Sequence, residues 1–125
     1  MKIGFIGLGN VGGKLAGSLL RNNIELTVLE LNSKLMKKFE EKGASIANTQ
    51  KELAKNVDLI ITCLPSPEIC AEVMEAPEGI IEGISKNKIW LEMSTTDESE
   101  VKRLGELISK KGGIPLDSPV SGGCH

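Results

Sequence analysis

The chain has 125 residues and a formal net charge of −2, with acidic and basic residues intermixed, which suits one domain that buries its own core. Aromatic residues make up only 2% of it and no basic block occurs, so the stacking surfaces and positive charge that serve a nucleic-acid partner are missing. No apolar run is long enough to cross a bilayer and no signal-peptide pattern occurs, so we expect a cytoplasmic protein without a membrane partner.

The first predicted element is a strand over residues 3–6, which is followed by a glycine-rich turn and a helix. Gly7, Gly9 and Gly12 have the G-x-G-x-x-G spacing. In a dinucleotide-binding turn, the first glycine permits the tight bend, the second lets the backbone approach a pyrophosphate, and the third lets the helix pack close to the strand. The helix start adds unpaired N–H groups and a partial positive charge. We therefore predict a pyrophosphate site at this turn.

The predicted first helix contains three glycines, Gly12, Gly13 and Gly17. Each costs about 1 kcal/mol relative to alanine in a helix interior. Close approach of the helix backbone to a strand or to a ligand would account for that cost.

The second predicted strand, residues 24–29, is followed by Glu30, which lies eighteen positions after Gly12. This is about where an acidic residue binds the adenosine ribose of a dinucleotide. A carboxylate repels a 2′-phosphate, and Leu31 stands where an arginine would attract one, so we predict NAD rather than NADP. The alternative interpretation is a glycine-rich turn with an ordinary solvated glutamate.

Strands and helices continue to alternate along the rest of the chain. Further strands are predicted over residues 44–47, 57–63, 88–92 and 113–117. Further helices are predicted to begin at Asn32 or Ser33, at Thr49, at Ser66 and after Asp97, with a loop or a short helical turn over residues 79–85. This alternation predicts a Rossmann-type, doubly wound parallel α/β sheet of about six strands with helices on both faces, formed by residues 1–125.

The loops that follow the strands are expected to share one edge of that sheet, where ligands bind in such folds. Small, polar or rigid residues occupy the loops 64–66, 93–96 and 119–123, which suits backbone contact with a flat ring and a small substrate. Each loop also has a simpler interpretation. The first ends a strand, the second caps a helix, and the third is an ordinary turn.

Three cysteines form an odd count without a C-x-x-C pair. Cys63 lies in an apolar strand and Cys70 on an apolar helix face, so we expect both to be buried free thiols. Cys124 and His125 are adjacent, which makes a poor metal site. No metal is predicted.

Four motifs, at residues 4–12, 64–65, 92–95 and 117–123, together resemble the β-hydroxyacid dehydrogenases, the family of 3-hydroxyisobutyrate, tartronate semialdehyde and 6-phosphogluconate enzymes. The resemblance covers the whole chain. It departs from the family pattern at Val11, where methionine is usual, at Glu92, where aspartate is usual, and at Glu98, where proline is usual. The first motif alone is unspecific, whereas the four in order are specific.

The resemblance implies roles for the predicted loops. The cofactor turn would consist of Gly7, Leu8, Gly9, Asn10, Val11 and Gly12, and Glu30 would hold the adenosine ribose. The nicotinamide would be lined by Leu64, Pro65 and Thr95, with Glu68 near the cofactor. The substrate carboxylate would be bound by Ser121, Gly122 and Gly123.

The family's proton-transfer lysine lies on a helix beyond the Ser-Gly-Gly motif, and no lysine here matches it, so no catalytic residue is predicted in this chain. The resemblance implies a cofactor domain whose partner, an all-helical domain that closes the active site, is absent from this sequence. The full enzyme would oxidise the CH–OH group of a small 3-hydroxy acid, or reduce the matching semialdehyde, with NAD as hydride carrier and lysine as general acid–base. The chain alone is expected to turn over poorly or not at all. The family usually dimerises through the helical half, so the sequence leaves open whether this chain forms a homo-oligomer.

An alternative of another class is a stand-alone regulatory Rossmann domain that senses NAD, of the kind that gates potassium transport. Such domains also combine a glycine turn with an acidic residue after the second strand. They have no reason to carry Ser94-Thr95 and Ser121-Gly122-Gly123 after successive strands, so the dehydrogenase interpretation is favoured.

Overall fold

The structure is a computed structural model that describes residues 1–7, 10–30, 32–64, 66–93 and 98–117. Strands and helices alternate along these residues, as predicted, apart from two consecutive helices before the fifth strand. In chain order they are β1 (Lys2–Ile6), α1 (Asn10–Arg21), β2 (Glu25–Leu29), α2 (Ser33–Glu41), β3 (Ser45–Ile46), α3 (Gln50–Asn56), β4 (Leu59–Thr62), α4 (Pro67–Glu75), α5 (Ile80–Gly83), β5 (Ile89–Glu92), α6 (Glu98–Lys110) and β6 (Ile114–Asp117).

The six strands form one sheet in the order β3-β2-β1-β4-β5-β6, and every neighbouring pair is parallel. The direction in which the chain adds strands reverses between β1 and β4, which lie side by side with Ile6 opposite Thr62. In open sheets of this kind, ligands bind beyond the carboxyl ends of the strands at the point of reversal. A ligand site is therefore expected at the carboxyl ends of β1, β2, β4 and β5.

Two apolar layers cover the two faces of the sheet. On one face, α1 and α2 pack against alternate residues of β1, β2 and β4, with Phe5 and Val28 fully buried. On the other face, α3 to α6 pack against Ile6, Ile60 and Trp90. The alternation along β1, with Phe5 on one side and Ile6 on the other, places apolar side chains on both faces of a central strand. The predicted sheet with helices on both faces is confirmed.

Side-chain caps determine where several helices begin. Asn32, rather than Ser33, caps α2: its Oδ1 accepts hydrogen bonds from two backbone N–H groups of the first turn at 3.0 and 3.2 Å. Thr49 caps α3 and Ser66 caps α4, as predicted. Each such cap satisfies an N–H group that has no partner inside its helix. Residues 80–83, for which a loop and a short helical turn were both open, form the short helix α5.

Candidate cofactor site at the carboxyl edge

The turn after β1 has a backbone that only glycine adopts easily. Gly7 has a φ of +96°, and its N–H donates to the carbonyl oxygen of Leu29 at 3.3 Å. A Cβ atom at Gly7 would lie 2.2 Å from the carbonyl oxygen of Cys63, which is backbone and cannot rotate away. Both the φ angle and the lack of space exclude a side chain at this position. The chain thus bends sharply between the carboxyl ends of β2 and β4.

Gly12 brings the start of α1 against the same turn. A Cβ atom at Gly12 would lie 2.3 Å from the carbonyl oxygen of Gly7 and 3.2 Å from a ring carbon of Phe5. This is the close packing of helix on strand that the third glycine of the motif predicts. The first turn of α1 therefore presents its N–H groups at the carboxyl edge, where a helix N-terminus favours an anion.

The explanation offered for the helical glycines holds at Gly12 but is wrong at Gly17. The atom nearest to a Cβ at Gly17 is a guanidinium nitrogen of Arg21 at 3.4 Å, which is ordinary contact with a flexible side chain. No close approach to a strand requires glycine there, so the two positions form a matched pair for mutation.

Part of the predicted turn lies outside the described residues. This applies to Leu8 and Gly9, and for Asn10 and Val11 the structure describes the backbone alone, at the start of α1. Their assignment to the pyrophosphate stays a prediction.

Glu30 lies beside this turn because β2 is the neighbour of β1. Ile6 is opposite Leu29 in the register, so Gly7 and Glu30 follow the ends of adjacent strands. The side chain of Glu30 is half-buried, and its Oε2 accepts a hydrogen bond from the N–H of Asn32 at 2.8 Å. Since Asn32 caps α2, the carboxylate is held at the start of that helix. The structure thus brings together the glycine turn and the acidic residue that the sequence predicted.

The loop after β4 is only partly within the described residues. Leu64 is buried and Glu68 is exposed on the first turn of α4, whereas Pro65 lies outside the described residues. Thr95 and the three predicted substrate residues, Ser121, Gly122 and Gly123, also lie outside them. Their roles remain predictions.

A buried polar cluster, which we call the Glu92 cluster, joins the ends of β4 and β5 and consists of Thr62, Cys70, Trp90 and Glu92. The indole N–H of Trp90 donates to the Thr62 hydroxyl at 3.0 Å, and that hydroxyl donates to Oε2 of Glu92 at 2.7 Å. The Cys70 thiol donates to the same Oε2 at 3.1 Å. None of the four side chains is more than 1% exposed.

Burial determines the protonation state of one member of this cluster. It raises the pKa of the Cys70 thiol far above its ordinary value, and the nearby Glu92 carboxylate raises that pKa further. The thiol therefore stays protonated and acts as a hydrogen-bond donor. In the sequence, Glu92 stands out only as a departure from a family motif, and the cluster is not recognisable from it. The available signal was an acidic residue ending an otherwise apolar strand.

The cysteines differ from one another. Cys70 is a buried free thiol, as expected. Cys63 is disulfide-bonded, so the prediction of a free thiol at that position was wrong. Within the described ranges, no group of three or more His, Cys, Asp or Glu side chains is arranged to hold a metal ion. In those same ranges, no helix has the length and apolar character needed to cross a membrane.

Comparison with known proteins agrees with this geometry. Mitochondrial 3-hydroxyisobutyrate dehydrogenase of Mus musculus is 36% identical over 121 residues, which are 97% of this chain and 36% of that protein. The cytokine-like nuclear factor N-PAC of Homo sapiens is 32% identical over 97% of this chain and 22% of its own length. The chain thus spans about a third or less of these relatives.

The fold recurs in the solved structure of Psf3 in complex with NADP+ and 2-OPP, with a TM-score of 0.90 and 24% identity, over 98% of this chain and 43% of that one. Residues 2–125 match the family described as the NAD-binding domain of 6-phosphogluconate dehydrogenase. Because this match spans nearly the entire chain, the protein belongs to that family of NAD-binding domains.

Proposed function

We propose that this chain is the cofactor domain of an NAD-dependent dehydrogenase that acts on a small 3-hydroxy acid or on the matching semialdehyde. The observation that carries the proposal is the turn after β1, where Gly7 and Gly12 leave no space for side chains and α1 begins against the bend. Such a turn lets backbone N–H groups approach a pyrophosphate. Relatives named as 3-hydroxyisobutyrate dehydrogenases support the substrate class.

We assign the adenosine ribose to Glu30. Its carboxylate lies after β2, next to the glycine turn, with one oxygen oriented by the N–H of Asn32. A carboxylate accepts hydrogen bonds from ribose hydroxyls and repels a 2′-phosphate. This supports a preference for NAD over NADP.

The remaining cofactor contacts are proposed for loops at the same edge. Leu64, Pro65 and Thr95 would line the nicotinamide, Glu68 would lie near the cofactor, and Ser121, Gly122 and Gly123 would bind a substrate carboxylate. The nicotinamide supplies hydride transfer when bound, and the protein binds and orients it. We propose that the proton-transfer lysine of the family is not among the residues of this chain. The complete reaction is therefore proposed only for a protein with the additional length of the relatives, of which this chain matches about a third.

Calorimetric titration of the purified chain with NAD and with NADP tests the cofactor proposal. We expect saturable binding of NAD and weaker binding of NADP. Tighter binding of NADP would overturn the assignment of Glu30, and failure to bind either dinucleotide would overturn the function itself.

Absorbance of reduced cofactor tests the activity of this chain alone. With NAD and a panel of small 3-hydroxy acids, we expect no turnover above the rate without protein. Robust turnover would show that this sequence contains its own proton-transfer group. The regulatory alternative makes the same binding prediction, but the relatives named as dehydrogenases favour the enzyme.

A further inference from the structure

One carboxylate oxygen of Glu92 accepts hydrogen bonds from both β4 and α4, the two elements on either side of the β4–α4 loop. Thr62 is the last residue of β4, and its hydroxyl donates to Oε2 at 2.7 Å. Cys70 lies in the first turns of α4, and its thiol donates to the same oxygen at 3.1 Å. Leu64 and Pro65 lie between these two donors in the chain. A single acceptor thus joins the last residue of β4 to the first turns of α4, the two elements on either side of the loop.

The same residue also connects this loop to the next one along the edge. Glu92 is the last residue of β5, and the N–H of Met93 donates to the carbonyl oxygen of Thr62 at 2.9 Å. Thr95, another residue proposed to line the nicotinamide, follows Met93 by two positions in the sequence. Glu92 is therefore located where both proposed nicotinamide loops leave the sheet.

The Glu92 cluster has the properties of a rigid support. Its four side chains are fully buried, and hydrogen bonds shielded from water are stronger than those on the surface. The bond from the Trp90 indole orients the Thr62 hydroxyl, so that its proton points to Glu92. A buried carboxylate without such donors would be costly, which makes alternative arrangements of these side chains unfavourable.

We propose that Glu92 is a positioning residue for the nicotinamide half of the cofactor, acting through its hold on the two ends of the β4–α4 loop. This inference rests on the proposed function, since it assumes that Leu64 and Pro65 line the nicotinamide. It assigns no contact between Glu92 and the cofactor. The adenosine half is held elsewhere, by the glycine turn and Glu30, so the two halves of the dinucleotide respond differently to changes at Glu92.

The test compares NAD with ADP-ribose, which has the same adenosine, pyrophosphate and second ribose but lacks the nicotinamide. Both dissociation constants are measured by calorimetry on the wild-type chain and its variants, at a temperature where each is folded by circular dichroism. Glu92→Gln keeps the length of the side chain but removes the negative charge, which weakens the hydrogen bonds from both donors. We expect NAD binding to weaken about tenfold while ADP-ribose binding changes less than about twofold, the scale of one lost hydrogen bond.

Two variants of Cys70 keep the proposal testable if Glu92→Gln does not fold. Cys70→Ala removes one donor without touching the carboxylate and is expected to lower the preference for NAD over ADP-ribose. Cys70→Ser supplies a hydroxyl donor at the same place and is expected to restore it. Met74→Val is the matched control. Met74 is fully buried one turn further along α4, so this variant lowers stability but leaves the ratio of the two dissociation constants unchanged.

The outcomes separate this inference from the proposed function. If the wild-type chain binds neither ligand, the proposed function fails. If it binds NAD and ADP-ribose equally well, or if the ratio of the two dissociation constants is unchanged in both Glu92→Gln and Cys70→Ala, the dinucleotide site stands and the role of Glu92 is wrong. If the preference for NAD over ADP-ribose falls equally in Met74→Val, the effect is a general one of lowered stability, and the inference is also overturned.

Discussion

The glycine turn after β1 and the Glu92 cluster lie at the same edge of one sheet, but they are shaped by opposite means. The turn requires residues without side chains, since a Cβ at Gly7 or Gly12 would lie within 2.3 Å of a backbone carbonyl oxygen. The cluster is built from four buried side chains joined by hydrogen bonds. The comparison shows that this edge can be damaged in two ways, by adding atoms to the turn or by removing donors from the cluster.

The largest effect is expected from Gly12→Ala. The new methyl group would lie 2.3 Å from the Gly7 carbonyl oxygen, so either the helix or the turn must move. We expect a loss of stability of about 2 kcal/mol, as for other overpacked sites. NAD affinity should fall about 100-fold, the order of loss produced by displacing a binding group by about 1 Å. Urea denaturation and calorimetry measure the two effects.

Gly17→Ala is the matched control on the same helix. Because the nearest atom is the flexible Arg21 guanidinium at 3.4 Å, the methyl group fits. The variant should gain up to about 1 kcal/mol from helix propensity and bind NAD as the wild-type chain does. Equal NAD affinities for Gly12→Ala and Gly17→Ala would contradict the account of the turn.

The second-largest effect is expected from a change in the Glu92 cluster. Thr62→Val keeps the shape of the side chain. It removes the hydroxyl that accepts from the Trp90 indole N–H and donates to the Glu92 carboxylate. We expect a loss of about 2–3 kcal/mol in the free energy of unfolding, since two buried polar groups are affected. Ile61→Val, one residue earlier in β4, removes a buried methylene and should cost about 1 kcal/mol. A smaller loss for Thr62→Val than for Ile61→Val would show that the hydrogen bonds contribute little.

The third effect tests the acidic residue beside the turn. Glu30→Gln keeps the size of the side chain but removes the charge that repels a 2′-phosphate, so NADP binding should tighten about tenfold relative to NAD binding. Glu25→Gln, at the exposed opposite end of β2, is the control and should leave the ratio unchanged. The two ratios are compared by calorimetry at one ionic strength. If the ratio of NADP to NAD affinity is unchanged in Glu30→Gln, Glu30 does not bind the adenosine ribose.

The smallest effect lies away from the edge, where Arg103 on α6 forms an exposed ion pair with Glu75 of α4 at 2.6 and 2.7 Å. Arg103→Gln should lower stability at neutral pH only slightly, since exposed pairs are screened by solvent. The hydrogen bond from Arg103 lowers the pKa of Glu75 below its ordinary 4.5. A carboxylate with a lowered folded-state pKa stabilises the protein above its unfolded-state pKa, and that contribution disappears as the pH falls through the folded-state value.

Urea denaturation of the wild-type chain and of Arg103→Gln, from neutral to acidic pH, measures how the stability difference between them changes with pH. The difference between the two should be constant from neutral pH down to about pH 5 and should then shrink. Lys102→Gln, which changes the neighbouring exposed charge, controls for net charge. A difference that persists undiminished in strong acid would show that the ion pairs of Arg103 with Glu75 and Glu100 are not its source.

Much of the fold could be predicted because its signals are local in the sequence. The spacing of Gly7 and Gly12, the caps Thr49 and Ser66, and the apolar strands each depend on residues a few positions apart. The strand predicted over residues 44–47 is reduced to Ser45–Ile46 at the edge of the sheet, where only β2 is available as a partner. Boundaries at a sheet edge depend on partners that the sequence pattern does not reveal.

The Glu92 cluster could not be predicted in the same way, because its bonds join residues far apart in the chain. Cys70 and Glu92 are separated by 22 positions and Thr62 and Glu92 by 30, and their contact depends on how α4 packs over β4 and β5. Cys70 in the sequence is indistinguishable from any apolar residue on the buried face of its helix. Only the fold shows that its thiol bonds to a buried carboxylate.

The most direct test of the central claim is to map NAD binding by amide chemical shifts in proton–nitrogen correlation spectra of the labelled chain. The claim is that the dinucleotide binds at the carboxyl edge where β1 and β4 meet. We predict that the largest shifts on addition of NAD occur at the amides of Gly7, Gly12 and Glu30. A pocket at the amino edge of the sheet is lined by Lys2, Glu25 and other residues. Shifts confined to that pocket, or no shifts at saturating NAD, would contradict the account.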